Sequence, residues 1–226
     1  MNQVAGPTLA LWAPEARRDA ATRRAIALAR AWTVEARSTL AWGTTQVVDR
    51  HGLDRIPGHR TTPIVASIMA AGGATMPHFS LRSATGNWSS ADAMATLTGV
   101  GLDRATAVNV ASRVGTCIAH ADTAGVAAKV SWTATADDAR LVASALSRRV
   151  VAGVGSLLVN VPFGRGTGVP DDERFQRLKA LFTAVGEAVG VRVRIVRLAG
   201  TQPVGLGIGP APEALDVLAV LRGAAA

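Results

Sequence analysis

Hydrophobic and polar positions alternate between helix-like and strand-like blocks along the 226 residues. Across residues 13 to about 40 strong helix formers dominate. Ala21, Ala25, Ile26, Ala29 and Trp32 recur at helical spacing, with Arg17, Arg18, Arg23 and Arg24 between them. Residues 46–48 read as a short buried strand running into a polar loop over 49–60. Thr61 and Thr62 open a helix with Pro63 in its first turn, where a missing N–H costs little, and Gly72-Gly73 stops it. Residues 76–81 predict a second strand, 83–90 a polar loop and 91–97 the start of a helix. Helices follow at 103–114, capped by Asp103, and at 137–151, with a strand end at 116–119 between them. Residues 156–161 are an unbroken apolar strand of the kind buried on both faces. Pro170-Asp171-Asp172 caps a helix to 189, a strand spans 191–198, and 212–221 form the last helix. Strands alternating with helices predict an α/β fold, a mainly parallel sheet flanked by helices.

Composition narrows the partners. The chain is 49% hydrophobic and 18% charged, enough apolar material for a sizeable core. Apolar runs are broken well before 18 residues, so a transmembrane helix is not expected. Among 24 basic residues only Lys129 and Lys179 are lysines, and the net charge is +8. Arginine offers a planar fork matched to phosphate or carboxylate, which points to nucleic acid or a small phosphorylated ligand. Tyrosine is absent and aromatics are 4%, which disfavours a base-stacking nucleic-acid platform. A single cysteine, Cys117, excludes a disulfide framework and a cysteine-rich zinc site. With no leader pattern at the N-terminus, a cytoplasmic protein is expected.

Three loops are expected at the carboxyl ends of strands, where open α/β sheets hold ligands. Residues 49–62 combine Arg50, His51, Arg55, His59, Arg60, Thr61 and Thr62 before a helix and suit a phosphate cradle. Residues 80–90 are polar, with Arg82 and with Trp88 placed to stack on a base or close a pocket. Residues 162–168 are glycine-rich without the spacing of a dinucleotide or Walker motif. His78, in an apolar strand, reads as a hydrogen-bonded structural histidine. His120 and Asp122 could form an acid–base pair, but two groups do not make a metal site. Arg192, Arg194 and Arg197 are expected to line a sheet edge or an interface.

Taken in order, the motifs resemble the thymidine phosphorylase family, most closely its AMP phosphorylase branch. Val47-Val48-Asp49-Arg50-His51 with residues 57–65, PGHRTTPIV, is similar to that branch's VVDKH…PGNRTTPIV. Residues 82–92 resemble its SRAITSPAGTAD loop, 141–149 its LxASxxSKK, 159–166 its IDIPVGRG, and 201–211 its SQPIGRGIGPA. The resemblance runs in register from about residue 21 to Gly223.

The resemblance implies phosphorolysis, in which inorganic phosphate is co-substrate and no metal or other cofactor is needed. The substrate would be a nucleoside or a nucleoside 5′-monophosphate. By position Arg50, Arg60, Thr61, Thr62 and Ser90 would bind phosphate. His51 would lie beside the sugar, and His120 or Asp122 would stand in for the proton donor. Ser80, Arg82, Ser83, Ala84, Thr85, Gly86, Trp88, Ser144 and Arg148 would face the base or a 5′-phosphate. The resemblance also implies a homodimer with neither nucleic acid nor membrane as partner. Residues 1–45 would form an arm and a reduced helical lobe, residues 46–226 the α/β domain, and the family's C-terminal α+β domain would be absent.

The departures leave alternatives open. Arg50 and Arg148 replace lysines, Asp54-Arg55 replaces paired glycines, and Asn160 replaces an aspartate. Asn87-Trp88 replaces small residues, and the acidic segment is rewritten around 125–131, with Lys129 a third possible substitute for its proton donor. Phosphoribosyl transfer, hydrolysis of a specialised nucleoside, or nucleotide binding without catalysis are the competing functions.

Overall fold

A computed structural model describes residues 19–35, 39–43, 46–53, 60–82, 88–126 and 137–224. The elements are α1 (Ala20–Glu35), β1 (Val48–Gly52), α2 (Thr61–Ala71), β2 (Met76–Ser80), α3 (Ser90–Met94) and α4 (Arg104–Val114). They continue with β3 (Thr116–His120), α5 (Asp138–Val151), β4 (Ser156–Phe163), α6 (Asp172–Val189), β5 (Arg192–Ala199) and α7 (Pro210–Leu221). The fold is α/β, as the alternation of periods predicts.

All strand pairings among the described residues are parallel. β1, β4 and β5 form one ladder in that order, and β2 pairs with β3. A bridge between Val47 and Thr75 joins the two at their amino ends, giving the overall order β3-β2-β1-β4-β5. Val48 N donates to Thr75 O at 2.9 Å, and beyond that point β1 and β2 share no ladder. The chain leaves β1 in one direction for β2 and β3, and returns to its other side for β4 and β5. Such a reversal puts a crevice at the carboxyl ends of the strands.

Helix ends obey local chemistry. Asp103, Asp137 and Asp171 each accept a hydrogen bond from the backbone N–H three residues on, capping α4, α5 and α6. Ser89 and Asp92 form a reciprocal capping box at the start of α3. After α2, Gly73 takes φ +81°, a left-handed stop that a side chain would strain.

The main core lies between one sheet face and α1, α5 and α6. Leu157, Val159 and Val161 of β4 meet Ile26, Val142, Leu146, Leu178 and Phe182. α4 packs Ala107 and Ala111 against Phe79, Cys117 and Ala119 on the same side. α3 and α7 cover the opposite face near β3, where Met94, Ala214 and Val217 meet Ile64 and Ile118.

Three expectations change. β1 runs to Gly52, so Asp49, Arg50 and His51 are strand residues rather than loop residues. Polar side chains hid the strand because they are paired inside the protein. β4 alternates between buried and half-buried positions instead of being covered on both faces. Leu157, Val159 and Val161 enter the core, while Ser156, Leu158 and Asn160 face a less covered side. The first helix occupies 20–35, since Thr39 and Leu40 lie outside it and residues 1–18 lie outside the described residues. β5 does end the strand order, and its Arg192, Arg194 and Arg197 are exposed there, as edge strands favour. No described helix is long and apolar enough to cross a membrane.

Phe182 is fully buried against both α5 and the sheet. Truncating it in Phe182→Ala lowers the unfolding free energy by about 3–5 kcal/mol, read from urea denaturation midpoints.

Candidate active site

The site grows from the alternation of β1. Successive strand side chains point to opposite faces. Asp49 and His51 turn toward α5 and α6, and Arg50 turns toward α2.

Asp49 is buried and fully engaged. Its Oδ1 accepts from Arg50 N at 2.7 Å and lies 2.7 Å from Nδ1 of His78 on β2. Its Oδ2 accepts from Arg149 Nε at 3.0 Å. Arg149 of α5 also donates from Nη2 to Arg50 O at 3.0 Å. Burial would raise the Asp49 carboxyl, but the charges and hydrogen bonds of His78 and Arg149 outweigh it and hold it below the usual range. His78 is therefore a hydrogen-bonded structural histidine, as its apolar strand suggests.

On the α2 side, Arg50 Nη1 donates to Thr62 Oγ1 at 2.5 Å, and Ser90 Oγ donates to the same oxygen at 2.9 Å. β1, α2 and α3 thus each deliver one polar group to one point, and all three residues are buried. Two hydroxyls joined by one hydrogen bond keep one proton for a further acceptor. With the guanidinium beside it, the cluster suits an anion. Thr61 stands beside it as the first residue of α2. Arg60 precedes it, and its guanidinium turns to α7, binding Asp216 and the carbonyl of Gly207 with Glu213 Oε1 at 3.7 Å.

On the α5 side, burial first, then the positive charges of Arg149, Arg148, His78 and Arg50, push His51 well below the usual histidine range. Its ring centroid lies 6.2 Å from that of Phe182. Arg148 Nη1 donates to Ser144 Oγ at 2.7 Å, and Arg148 Nε is buried with no hydrogen-bond partner among the described residues. Burial and the adjacent Arg149 push the Arg148 guanidinium down to about 9.

Ser80 ends β2 and is in register with His120 at the end of β3. His120 Nε2 stands 3.6 Å from Asp92 Oδ1, and its Nδ1 is buried with no hydrogen-bond partner among the described residues. Burial and Arg82 lower its proton affinity, opposed by Asp92 and Asp122. Arg82 Nε donates to Asp122 Oδ2 at 2.9 Å on the surface. Burial opposes that hydrogen bond and the backbone N–H groups, yet the Asp122 carboxyl is lowered. Trp88 Nε1 donates to Glu213 Oε1 at 3.0 Å. Ser83, Ala84, Thr85 and Gly86 lie outside the described residues, as do Asp54, Arg55, Asn87 and Lys129.

Sequence reasoning missed Asp49, Arg149, Glu213 and Asp216. The available signal was charge in apolar surroundings: Asp49 after two valines, and Arg148-Arg149 in a helix otherwise rich in Ala, Leu and Val.

Acid should weaken the fold in two steps. The folded chain binds fewer protons than the unfolded chain on His51 below about 6.5, and on Asp49 below about 3.8. Stability is therefore complete above the histidine window and lost as pH falls through it, then falls again as Asp49 titrates. Urea midpoints between about pH 7.5 and about pH 5 should decline less steeply in His51→Asn than in the wild type. Asp49→Asn, which leaves Arg149 and His78 without their shared partner, should cost about 3–5 kcal/mol at neutral pH.

No protein-family model matches the chain. Curated relatives do. A protein named "Putative thymidine phosphorylase" from Maricaulis maris is 41% identical over 190 residues, covering 81% of this chain and 37% of the relative. "Putative thymidine phosphorylase 1" from Cupriavidus necator is 39% identical over 207 residues, 88% of this chain and 40% of the relative. A namesake of the first from Ralstonia nicotianae is 41% identical over 196 residues, 84% and 39%. The chain spans about two fifths of the length of these relatives. The five motif blocks, the parallel α/β core and this identity make the chain a member of the thymidine phosphorylase-like family.

Proposed function

We propose that the chain carries the phosphate and base sites of a phosphorylase acting on the N-glycosidic bond of a nucleoside or a nucleoside 5′-monophosphate. The observation that carries this reading is the meeting of Arg50 Nη1, Thr62 Oγ1 and Ser90 Oγ at one buried point. It lies at the carboxyl end of β1 and the first turn of α2, where uncapped backbone N–H groups add positive potential.

In this reaction a phosphate oxygen attacks the anomeric carbon as the carbon–nitrogen bond to the base breaks. The bonding pair leaves with the base, and the products are free base and sugar 1-phosphate. Arg50 and the Thr62–Ser90 hydroxyls hold the attacking phosphate and fix its approach. His51, kept neutral by its surroundings, adds no positive charge beside an oxocarbenium-like sugar. Arg148 and Ser144 suit the base carbonyls or a 5′-phosphate, and the Arg148 Nε, which has no partner among the described residues, is a donor for that ligand. Asp122, ionised beside Arg82, has no proton to offer at neutral pH. His120 is then the better hydrogen-bond donor to the departing base.

Incubating the chain with a panel of nucleosides and nucleoside 5′-monophosphates, with and without inorganic phosphate, tests the reading. Phosphate-dependent release of base is expected. Release without phosphate would assign hydrolysis instead, and no release under either condition would overturn catalysis by this chain. Ser90→Ala should raise the KM for phosphate about tenfold, with Arg50→Ala costing more because it removes the charge.

A further inference from the structure

Arg60 and Trp88 both end on α7, although neither is near it in sequence. Arg60 stands immediately before α2, at the N-cap position, with no side-chain cap of its own. Its side chain is 3% exposed and meets Asp216, the Gly207 carbonyl and Glu213. Trp88 comes just before the Ser89–Asp92 capping box that opens α3, and its Nε1 donates to Glu213 Oε1 at 3.0 Å. Glu213, in the first turn of α7, is wholly buried. One Glu213 oxygen therefore faces the residue leading into α2 and the residue leading into α3. Two residues on from each anchor are Thr62 and Ser90, whose hydroxyls meet at 2.9 Å.

The chain before α7 is shaped around this arrangement. Leu206 N and Gly207 N each donate to Asp216 Oδ2 at 3.2 Å, on the same oxygen that Arg60 reaches. Gly205 takes φ +85°, and a Cβ there would run into the Arg60 guanidinium. A buried carboxyl group must be matched by donors, and here the donors come from the two segments whose separation sets the cluster.

We propose that Glu213 is a positioning residue for the Arg50–Thr62–Ser90 cluster. Through Arg60 and Trp88 it fixes the starts of α2 and α3 relative to each other, and so the distance between Thr62 and Ser90. This rests on the reading of that cluster as a phosphate site. Glu213 does not touch the phosphate. It acts through two helix starts, and Trp88, which stands where the resembled family has small residues, supplies one of the two links.

Two variants test it with inorganic phosphate as the probe. Trp88→Phe keeps the ring and removes one hydrogen bond, and Glu213→Gln keeps the shape and removes the charge beside Arg60. Phosphate affinity is read by isothermal titration calorimetry, and amide hydrogen exchange is followed at the starts of α2 and α3. Val185→Ala, in the distant core, is the control for general loss of stability. The proposal expects affinity to fall about tenfold in both variants, exchange to rise at both helix starts, and the control to keep wild-type affinity. Wild-type affinity in Trp88→Phe and Glu213→Gln overturns the proposal and leaves the phosphate site standing. If the unmodified chain binds no phosphate, the phosphate reading falls and the positioning role in phosphate binding falls with it. Exchange then judges the tether alone, and unchanged exchange at both helix starts overturns that too. Should Glu213→Gln fail to fold, Trp88→Phe decides.

Discussion

A single carboxylate at the parting of two strands sets most of what this structure can do. β1 and β2 are bridged only at Val47 and Thr75, and Asp49 sits just beyond that bridge. It spans the divergence by meeting His78 on β2, and it anchors Arg149 from α5 on the other side. An ionised carboxylate inside a protein is costly unless its lone pairs are filled, and here the backbone N–H of Arg50 fills one more. The result is a strand whose next residue is fixed on both sides of its backbone. Arg50 is held at its backbone N–H by Asp49 and at its carbonyl by Arg149. The side chain that follows from this backbone is aimed at Thr62.

The sheet thereby separates two chemistries across its thickness. The α2 face gathers hydroxyls around one guanidinium, which favours an anion. The α5 face gathers Arg148 and Arg149 around His51, which drives the imidazole toward its neutral form. A parallel sheet permits this because adjacent residues on one strand face opposite layers, while the strand ends bring both layers to the same edge. Both chemistries therefore reach the crevice at the carboxyl ends, although the side chains start on opposite faces.

The sequence makes the architecture legible because its periods are strong. Capping aspartates at 103, 137 and 171 start three helices as expected, and the edge arginines of β5 lie where their alternation suggests. The carboxyl half of β1 is not legible in this way. A strand reading rewards apolar residues, and Asp49, Arg50 and His51 look like loop until their partners on β2, α2 and α5 are known. Those partners are 12 to 100 residues away in sequence, beyond any local pattern. Arg60 illustrates the same limit from the other side. Its place before two threonines reads as a phosphate contact, yet carboxylates of α7, more than 150 residues on, hold its guanidinium. Local motifs identify which residues gather at the strand ends, and distant charges decide where each one points.

The preference for arginine over lysine follows from that burial. Arg148 is pushed down to about 9 by desolvation and by its charged neighbour, and remains protonated at neutral pH. A lysine begins at about 10.4, so the same burial beside the same neighbour would leave its charge less secure. Arg148 lies in the segment that resembles a family motif carrying two lysines, and here both are arginines. With Arg149 committed to Asp49 and to the carbonyl of Arg50, a second buried cation one residue away is sustainable only if its proton is tightly held. Guanidinium groups meet that condition, and their planar fork allows each to bind two partners at once. The arginine-rich composition is thus in part a requirement of the site's own electrostatics. At position 148 the charge sits beside that of Arg149 and away from water, where a guanidinium holds its proton more securely than an ammonium.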